Sequence, residues 1–172
     1  MSLKERVYSV LIVSAAEGFN DALSALLPGT KYSPTHIVSN INAAKRALAE
    51  RAFDFVLINS PLPDDVGTRF AIDTSAHKET VVLFMVRAEL YDEMYDKVAE
   101  HGVFVLSKPT SKPIITTALS WLSSARERIR VQETKAHSLE DKMAEIKIVN
   151  RAKLLLISEL QMDESQAHRY IE

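Results

Sequence analysis

Short apolar runs recur five times in the first 110 residues, and each is followed by a segment in which apolar residues have helical spacing. The predicted strands are Val7–Val13, Thr35–Val38, Phe53–Asn59, Val81–Val86 and Val103–Leu106. Strands that are apolar along both faces and alternate with helices form a parallel sheet with helices on both sides. The sequence therefore predicts an α/β fold for this part of the chain.

Composition sets limits on the class of protein. The chain has 172 residues, a net charge of −2 and no cysteine, which excludes disulfides and zinc–thiolate sites. No apolar run approaches the roughly 18 residues of a membrane span, and the first six residues lack the apolar core of a signal peptide. We therefore expect a cytoplasmic protein with no membrane partner.

Two of the predicted strands end in polar residues, at the edge of the sheet where open α/β folds bind ligands. The run 55–58 stops at Asn59, before a loop punctuated by proline and glycine, and the run 103–106 is followed by Ser107, Lys108 and Pro109. In strand order and in these motifs, residues 6–122 resemble a response-regulator receiver domain. The resemblance implies a flavodoxin-like, doubly wound sheet of five parallel strands.

The residues that a receiver uses for phosphoryl transfer are mostly replaced. The phosphoaccepting aspartate is replaced by Asn59, whose amide forms no acyl phosphate. Ser14 and Ala15 stand where receivers have the acidic pair that holds Mg²⁺. The hydroxyl position falls on Arg87, or on the residue before it, and Lys108 alone remains. We expect a degenerate pocket without phosphorylation, metal or cofactor, in which Lys108 has a structural role such as a hydrogen bond to Asn59.

Two less favoured interpretations concern charged residues near this pocket. Arg87 and Lys108 could together hold a small anion or the carboxylate of a partner. Asp64 and Asp65 could replace the lost metal ligands, but an exposed polar turn before Gly67 is the favoured interpretation.

The last third of the chain differs in character, because no glycine or proline occurs from Ile114 to Glu172. This predicts a long helix, about 70 Å from Ile114 to Leu160, which needs a partner to cover its apolar stripe. We expect a coiled-coil homodimer rather than a solvated helix, and we expect Trp121 to pack against the receiver sheet. The predicted dimerisation residues are Leu122, Ile129, Leu139, Met143 and Ile146.

A second helix is predicted after Asp163, which forms a capping box with Gln166. Segments 139–156 and 162–171 resemble the ANTAR domain in their Arg-Ala-Lys-x-Leu-Leu and Glu-x-x-Ala-x-Arg-Tyr elements. The resemblance implies binding to stem-loop RNA and transcription antitermination. The ANTAR family has a third helix that this sequence lacks, so either the sequence is part of a longer protein or the module has decayed. The predicted RNA contacts are Lys147, Arg151, Ala152, Lys153 and Arg169.

These interpretations divide the chain into a receiver-like domain (1–122), a helical coiled-coil linker (123–138) and a partial ANTAR domain (139–172). The leading hypothesis is a dimeric antitermination regulator that is not controlled by aspartyl phosphorylation, with a protein partner on the receiver surface as a further candidate. The alternative is a phosphorylation-independent protein-interaction adaptor that dimerises through its long helix, favoured by the nine basic and nine acidic residues that balance over 126–172. An enzyme is not expected, because no nucleophile–base pair and no glycine-rich phosphate loop appears.

Overall fold

The computed structural model describes residues 6–171 and contains the predicted sheet. All neighbouring strands are parallel, in the order β2-β1-β3-β4-β5. This confirms the flavodoxin-like, doubly wound fold. The strands are β1 (Tyr8–Val13), β2 (Tyr32–Val38), β3 (Phe55–Asn59), β4 (Val81–Arg87) and β5 (Phe104–Lys108).

A helix follows each of the five strands, as the spacing of the apolar residues predicts. Short 3₁₀ turns at Ala88–Leu90 and Ala99–His101 flank the fourth helix. The fifth helix begins two residues before Ile114, with Pro113 in its first turn, where a missing backbone N–H costs little. The long C-terminal helix is thereby confirmed. The helices are α1 (Glu17–Ser24), α2 (Ile41–Glu50), α3 (Thr68–Ser75), α4 (Tyr91–Val98), α5 (Lys112–Leu160) and α6 (Glu164–Ile171).

The sheet buries apolar side chains on both faces, as continuous apolar strands require. On one face Val56 and Phe84 pack with residues of α2, α3 and α4. On the other face Leu57 and Leu83 pack with residues of α1 and with the first turns of α5. Alternate residues of each strand therefore support opposite helical layers.

The edge strand β2 departs from the regular ladder. Tyr8 pairs with Tyr32 whereas Val10 pairs with Thr35, so β2 carries one additional residue between the two pairs. Pro34 lies in this irregular stretch, at an edge where its missing N–H interrupts no inner ladder. The predicted strand began three residues later, because the proline marked a break in the pattern.

A buried ion pair attaches α5 to the sheet at the end opposite the predicted pocket. Arg126 Nε lies 2.8 Å from Asp54 Oδ1, with side chains 8% and 14% exposed. Asp54 Oδ2 accepts hydrogen bonds from the backbone N–H of Ser9 at 2.9 Å and from Ser9 Oγ at 3.1 Å. The helix is therefore held by a directional polar contact as well as by its apolar face.

The contacts within the chain define two compact units. The first unit ends at Ile129 and contains the sheet, and the second unit begins at Arg130. Within residues 6–171, none of the helices combines the length and apolar character needed to cross a membrane.

Candidate functional site

The predicted pocket residues lie at the carboxyl end of the sheet. Asn59, Arg87 and Lys108 are the last residues of β3, β4 and β5, and Ser14 follows the last residue of β1. Arg87 and Lys108 are partners in the β4–β5 register. Parallel strands thus bring together residues that are far apart in sequence, as the sequence predicted for this edge.

Asn59 is at the centre of a hydrogen-bonded chain. Its Nδ2 donates to Ser14 Oγ at 3.0 Å, and both side chains are buried. Lys108 Nζ donates to Asn59 Oδ1 and also to the carbonyl oxygen of Ser60. The expected hydrogen bond between Lys108 and Asn59 is confirmed. Both functional groups of the amide have partners, and neither is a nucleophile.

The electrostatics of the pocket are set by two cations. Burial lowers the pKa of the Lys108 ammonium below 10.5, and the positive charge of Arg87 lowers it further. Arg87 itself is exposed at the end of its strand. Ala15, the other residue predicted to lie in this pocket, is also exposed, and its methyl side chain has no polar atom.

The two acidic residues of the loop after β3 organise the backbone. Asp64 accepts hydrogen bonds from the N–H groups of Ile41 and Asn42, each at 3.1 Å, at the start of α2. The Ile41 hydrogen bond is the main cause that lowers the pKa of Asp64 below 3.8. Asp65 Oδ1 accepts from the N–H of Gly67 at 2.7 Å, closing a turn. This supports the turn interpretation of these carboxylates over the metal-ligand one.

Among residues 6–171, no group of three or more histidine, cysteine or carboxylate side chains is arranged to hold a metal ion.

In the second unit, the predicted RNA contacts differ in accessibility. Lys147, Arg151 and Arg169 are exposed, whereas Ala152 and Lys153 are partly buried. Lys147 and Arg151 are four residues apart on α5 and share one helix face. Of the five predicted contacts, the exposed cations are therefore Lys147, Arg151 and Arg169.

The predicted capping box at the start of α6 is confirmed. The N–H of Gln166 donates to Asp163 Oδ1 at 2.8 Å, and the N–H of Asp163 donates to Gln166 Oε1 at 3.0 Å. Gln161 precedes the box with a φ of 51°, a left-handed conformation that is common where a helix ends. These interactions set the start of the helix that carries Arg169.

The predicted dimerisation residues separate into two groups, and one of them requires a correction. Leu122 is fully buried in the core of the first unit, so it cannot contact a second chain. Ile129 packs partly against the same core. Leu139, Met143 and Ile146 are each more than half exposed. The sequence prediction assigned both groups to one stripe because both have apolar residues at intervals of three and four.

The prediction for Trp121 was wrong for a related reason. Its side chain is 59% exposed, while Leu122, the next residue, fills the position against the sheet. A shift of one residue rotates a helix position by about 100°, enough to exchange core for solvent. The sequence analysis also missed the Asp54–Arg126 ion pair, because no local pattern connects residues 72 positions apart.

Comparison with solved structures identifies the fold of the first unit. The signal receiver domain of an HD domain-containing protein from Pseudomonas fluorescens Pf-5 superposes with a TM-score of 0.65 at 22% identity, over 76% of this chain and 96% of that one. The first unit has the receiver-domain fold. The beryllofluoride-activated NtrC4 receiver domain dimer superposes with a TM-score of 0.59 at 22% identity, over 70% of this chain and 98% of that one.

A third similar structure is a longer protein. It represents a family of redox sensors in the streptococci evolved from two-component response regulators, with a TM-score of 0.63 at 21% identity. The match covers 73% of this chain and 55% of that one, so this chain spans about half its length. No protein-family profile matches the sequence. No curated protein matches it either. At these identities the similarity establishes the fold alone.

Proposed function

We propose that this protein is an RNA-binding antitermination regulator with a pseudo-receiver that aspartyl phosphorylation does not control. The observation that carries the RNA part is the exposed pair Lys147 and Arg151, which lies on one helix face within the segment that resembles an ANTAR domain. The capped helix α6 adds Arg169 as a third exposed cation. Non-catalytic binding fits this arrangement better than an enzyme does.

The pseudo-receiver part rests on the hydrogen bonds of Asn59. An amide held by Ser14 and Lys108 offers no nucleophile, and the Mg²⁺ positions carry Ser14 and Ala15. Incubation with an acyl phosphate and Mg²⁺ should leave the intact mass of the protein unchanged. The triple variant Ser14→Asp, Ala15→Asp, Asn59→Asp restores the missing carboxylates and serves as the positive control. Phosphorylation of the unaltered chain would contradict this part.

RNA binding can be tested by titrating a two-hairpin RNA at several salt concentrations. Each phosphate contact that is lost should reduce the slope of log K against log salt by about one. We expect the double variant Lys147→Ala, Arg151→Ala to bind more weakly with a smaller slope. The control Lys142→Ala with Lys135→Ala removes the same charge from exposed sites on the same helix. Equal effects of both double variants, or equal affinity for a scrambled RNA, would contradict specific RNA binding at this face.

The adaptor remains the second candidate, and the exposure of Trp121 favours it. Half-exposed Ile114 lies one heptad before Trp121, so the first turns of α5 present apolar surface outward. Contiguous exposed apolar surface marks interaction sites in soluble proteins, and a protein partner on this face would cover both side chains. If RNA binding fails, this face is the place to search for a protein partner.

Dimerisation through α5 belongs to the leading proposal. Exposed Leu139, Met143 and Ile146 lie on a stripe with coiled-coil spacing in the second unit. Two copies would place two RNA-binding faces together, so a target with two hairpins would gain avidity.

A further inference from the structure

The first turns of α5 present a row of exposed side chains centred on the only tryptophan of the chain. Trp121 is 59% exposed, and Ile114, seven residues earlier, is 50% exposed. Thr117, Ser124 and Arg128 lie four residues before, three after and seven after Trp121, so they share its side of the helix. All five residues are exposed and belong to the first unit. We call this row the Trp121 face.

The hydroxyl groups of the Trp121 face are already hydrogen-bonded within the helix. Thr117 Oγ1 donates to the carbonyl oxygen of Pro113 at 2.9 Å, and Ser124 Oγ donates to that of Ser120 at 3.2 Å. A partner that covered the face would therefore leave neither hydroxyl donor unsatisfied. Tryptophan and arginine are also the residue types that contribute most to binding energy in protein interfaces. The face is therefore suited to a protein contact.

The charge around the Trp121 face is positive. No acidic residue occurs between Glu100 and Glu127, although the whole chain has 23 among its 172 residues. Lys112 is the first residue of α5, where the helix dipole already contributes partial positive charge. At the other end, Arg128 is exposed and makes no ion pair within the described part of the chain. The neighbouring carboxylate of Glu127 binds other residues. The electrostatics therefore favour a negatively charged occupant.

An acidic helix of another protein matches this face in length and in chemistry. The row from Ile114 to Arg128 is about 21 Å long, or roughly four helical turns. An amphipathic helix could cover Trp121 with apolar side chains and offer a carboxylate to the guanidinium of Arg128. RNA is less suitable, because these turns of α5 present only Lys112 and Arg128 as exposed cations. Two copies joined face to face would bring two positive surfaces together.

We propose that the Trp121 face is a docking site for an acidic, amphipathic helix of a partner protein. This inference rests on the adaptor that is the second candidate function, and it adds the place and the chemistry of the contact. Trp121 is the apolar anchor, and Arg128 binds a carboxylate of the partner. The contact does not require RNA binding, which is proposed for residues of the second unit.

The single tryptophan makes docking directly measurable in the full chain, because tryptophan emission shifts to shorter wavelength when solvent is removed from the indole ring. The probe is a synthetic helical peptide of about 15 residues, with leucines on one side, glutamates beside them and no aromatic residue. We expect a saturable blue shift, and a peptide with glutamine in place of glutamate should bind at least about tenfold more weakly. Equal affinity for the two peptides, or no saturable shift with either, would overturn the proposal.

The variants Thr117→Glu and Thr116→Glu form a matched pair that tests the position of the site. The two threonines are adjacent and exposed, and each hydroxyl donates to the carbonyl oxygen four residues earlier. One residue step rotates the helix by about 100°, so only Thr117 lies on the Trp121 face. Thr117→Glu should weaken binding of the acidic peptide at least about tenfold through like charge, and Thr116→Glu should have a much smaller effect. Equal losses in the two variants would place the peptide elsewhere and overturn the site.

Other occupants would give different results. A blue shift that grows with protein concentration in the absence of peptide would assign the face to a second copy of the chain. Protection of Trp121 from acrylamide quenching by the two-hairpin RNA would assign it to RNA, and either result would overturn the proposal. RNA binding is tested separately through Lys147 and Arg151. Salt-dependent RNA binding without peptide docking would therefore reject only the partner site, and peptide docking without RNA binding would reject only the RNA function.

Discussion

Breaking the ion pair between Asp54 and Arg126 should destabilise the first unit strongly. The pair is short, at 2.8 Å, and both side chains are mostly removed from solvent. Arg126→Met keeps the length and apolar part of the side chain but removes the charge opposite a largely buried carboxylate. Removing one partner of a buried pair costs about 3–5 kcal/mol. Because Ser9 also donates hydrogen bonds to Asp54, we expect a value near the lower end, about 3 kcal/mol.

Urea unfolding followed by circular dichroism measures this loss, and a double-mutant cycle isolates the pair. The variants are Arg126→Met, Asp54→Ala and their combination. The double variant should lose less stability than the sum of the single variants, with a coupling energy of about 1–3 kcal/mol. An unchanged denaturant slope would show that the surface exposed on unfolding has stayed the same.

The exposed pair Arg69–Asp73 provides a matched control. Its atoms are separated by 2.9 Å, almost the same distance, but its side chains are 83% and 52% exposed. Exposed pairs at this helical spacing contribute only about 0.3–0.5 kcal/mol. A coupling energy for the buried pair as small as that of the control would refute the conclusion that burial strengthens the ion pair.

Three further predictions concern the pocket end of the sheet. Gly67→Ala should reduce the free energy of unfolding by about 1–3 kcal/mol in urea denaturation, because Gly67 has a φ of 98° and an added Cβ would lie 3.4 Å from Ile58 Cγ2. Asp64→Ala should remove hydrogen bonds to the start of α2 whose stabilising effect is fully present above pH 3.8 and is lost as the pH falls through the lowered folded-state pKa of Asp64. The difference in free energy of unfolding between this variant and the unaltered chain should therefore shrink in acid. A difference that stays constant with pH would contradict the lowered pKa. The pKa of Lys108 is lowered in the folded state, so at pH values just below 10.5 the unfolded chain binds more protons at this residue than the folded chain does. The free energy of unfolding of the unaltered chain, relative to that of Lys108→Met, should therefore rise as the pH approaches 10.5. A relative free energy that falls over this range would contradict the lowered pKa.

Much of the fold could be predicted because each strand is a short apolar run with strong boundaries. The pocket was predictable for a related reason: residues that end parallel strands meet at one edge whatever their separation in sequence. The ends of the predicted strands alone therefore place Asn59 and Lys108 together. The identity of their partners was less accessible, because the contact of Lys108 with the Ser60 carbonyl depends on backbone geometry.

The stripes of α5 were harder to separate. Core-facing Ile115 and Leu122 and solvent-facing Ile114 and Trp121 are pairs with the same seven-residue spacing, displaced by a single residue. The spacing of apolar residues shows that a helix has an apolar face. It does not show whether that face packs against the sheet of the same chain or against a second chain. The predicted seam therefore joined core-facing Leu122 to exposed Leu139, Met143 and Ile146 further along the same helix.

The irregular β2 edge affects how this protein behaves at high concentration. A regular edge strand exposes a row of N–H and C=O groups on which a strand of another molecule can add. The additional residue of β2 and the missing donor of Pro34 break that row on one side of the sheet. Open-ended sheet-to-sheet association is therefore disfavoured at this edge, so β5, the other edge strand, is the side of the sheet on which a strand of another molecule can still add.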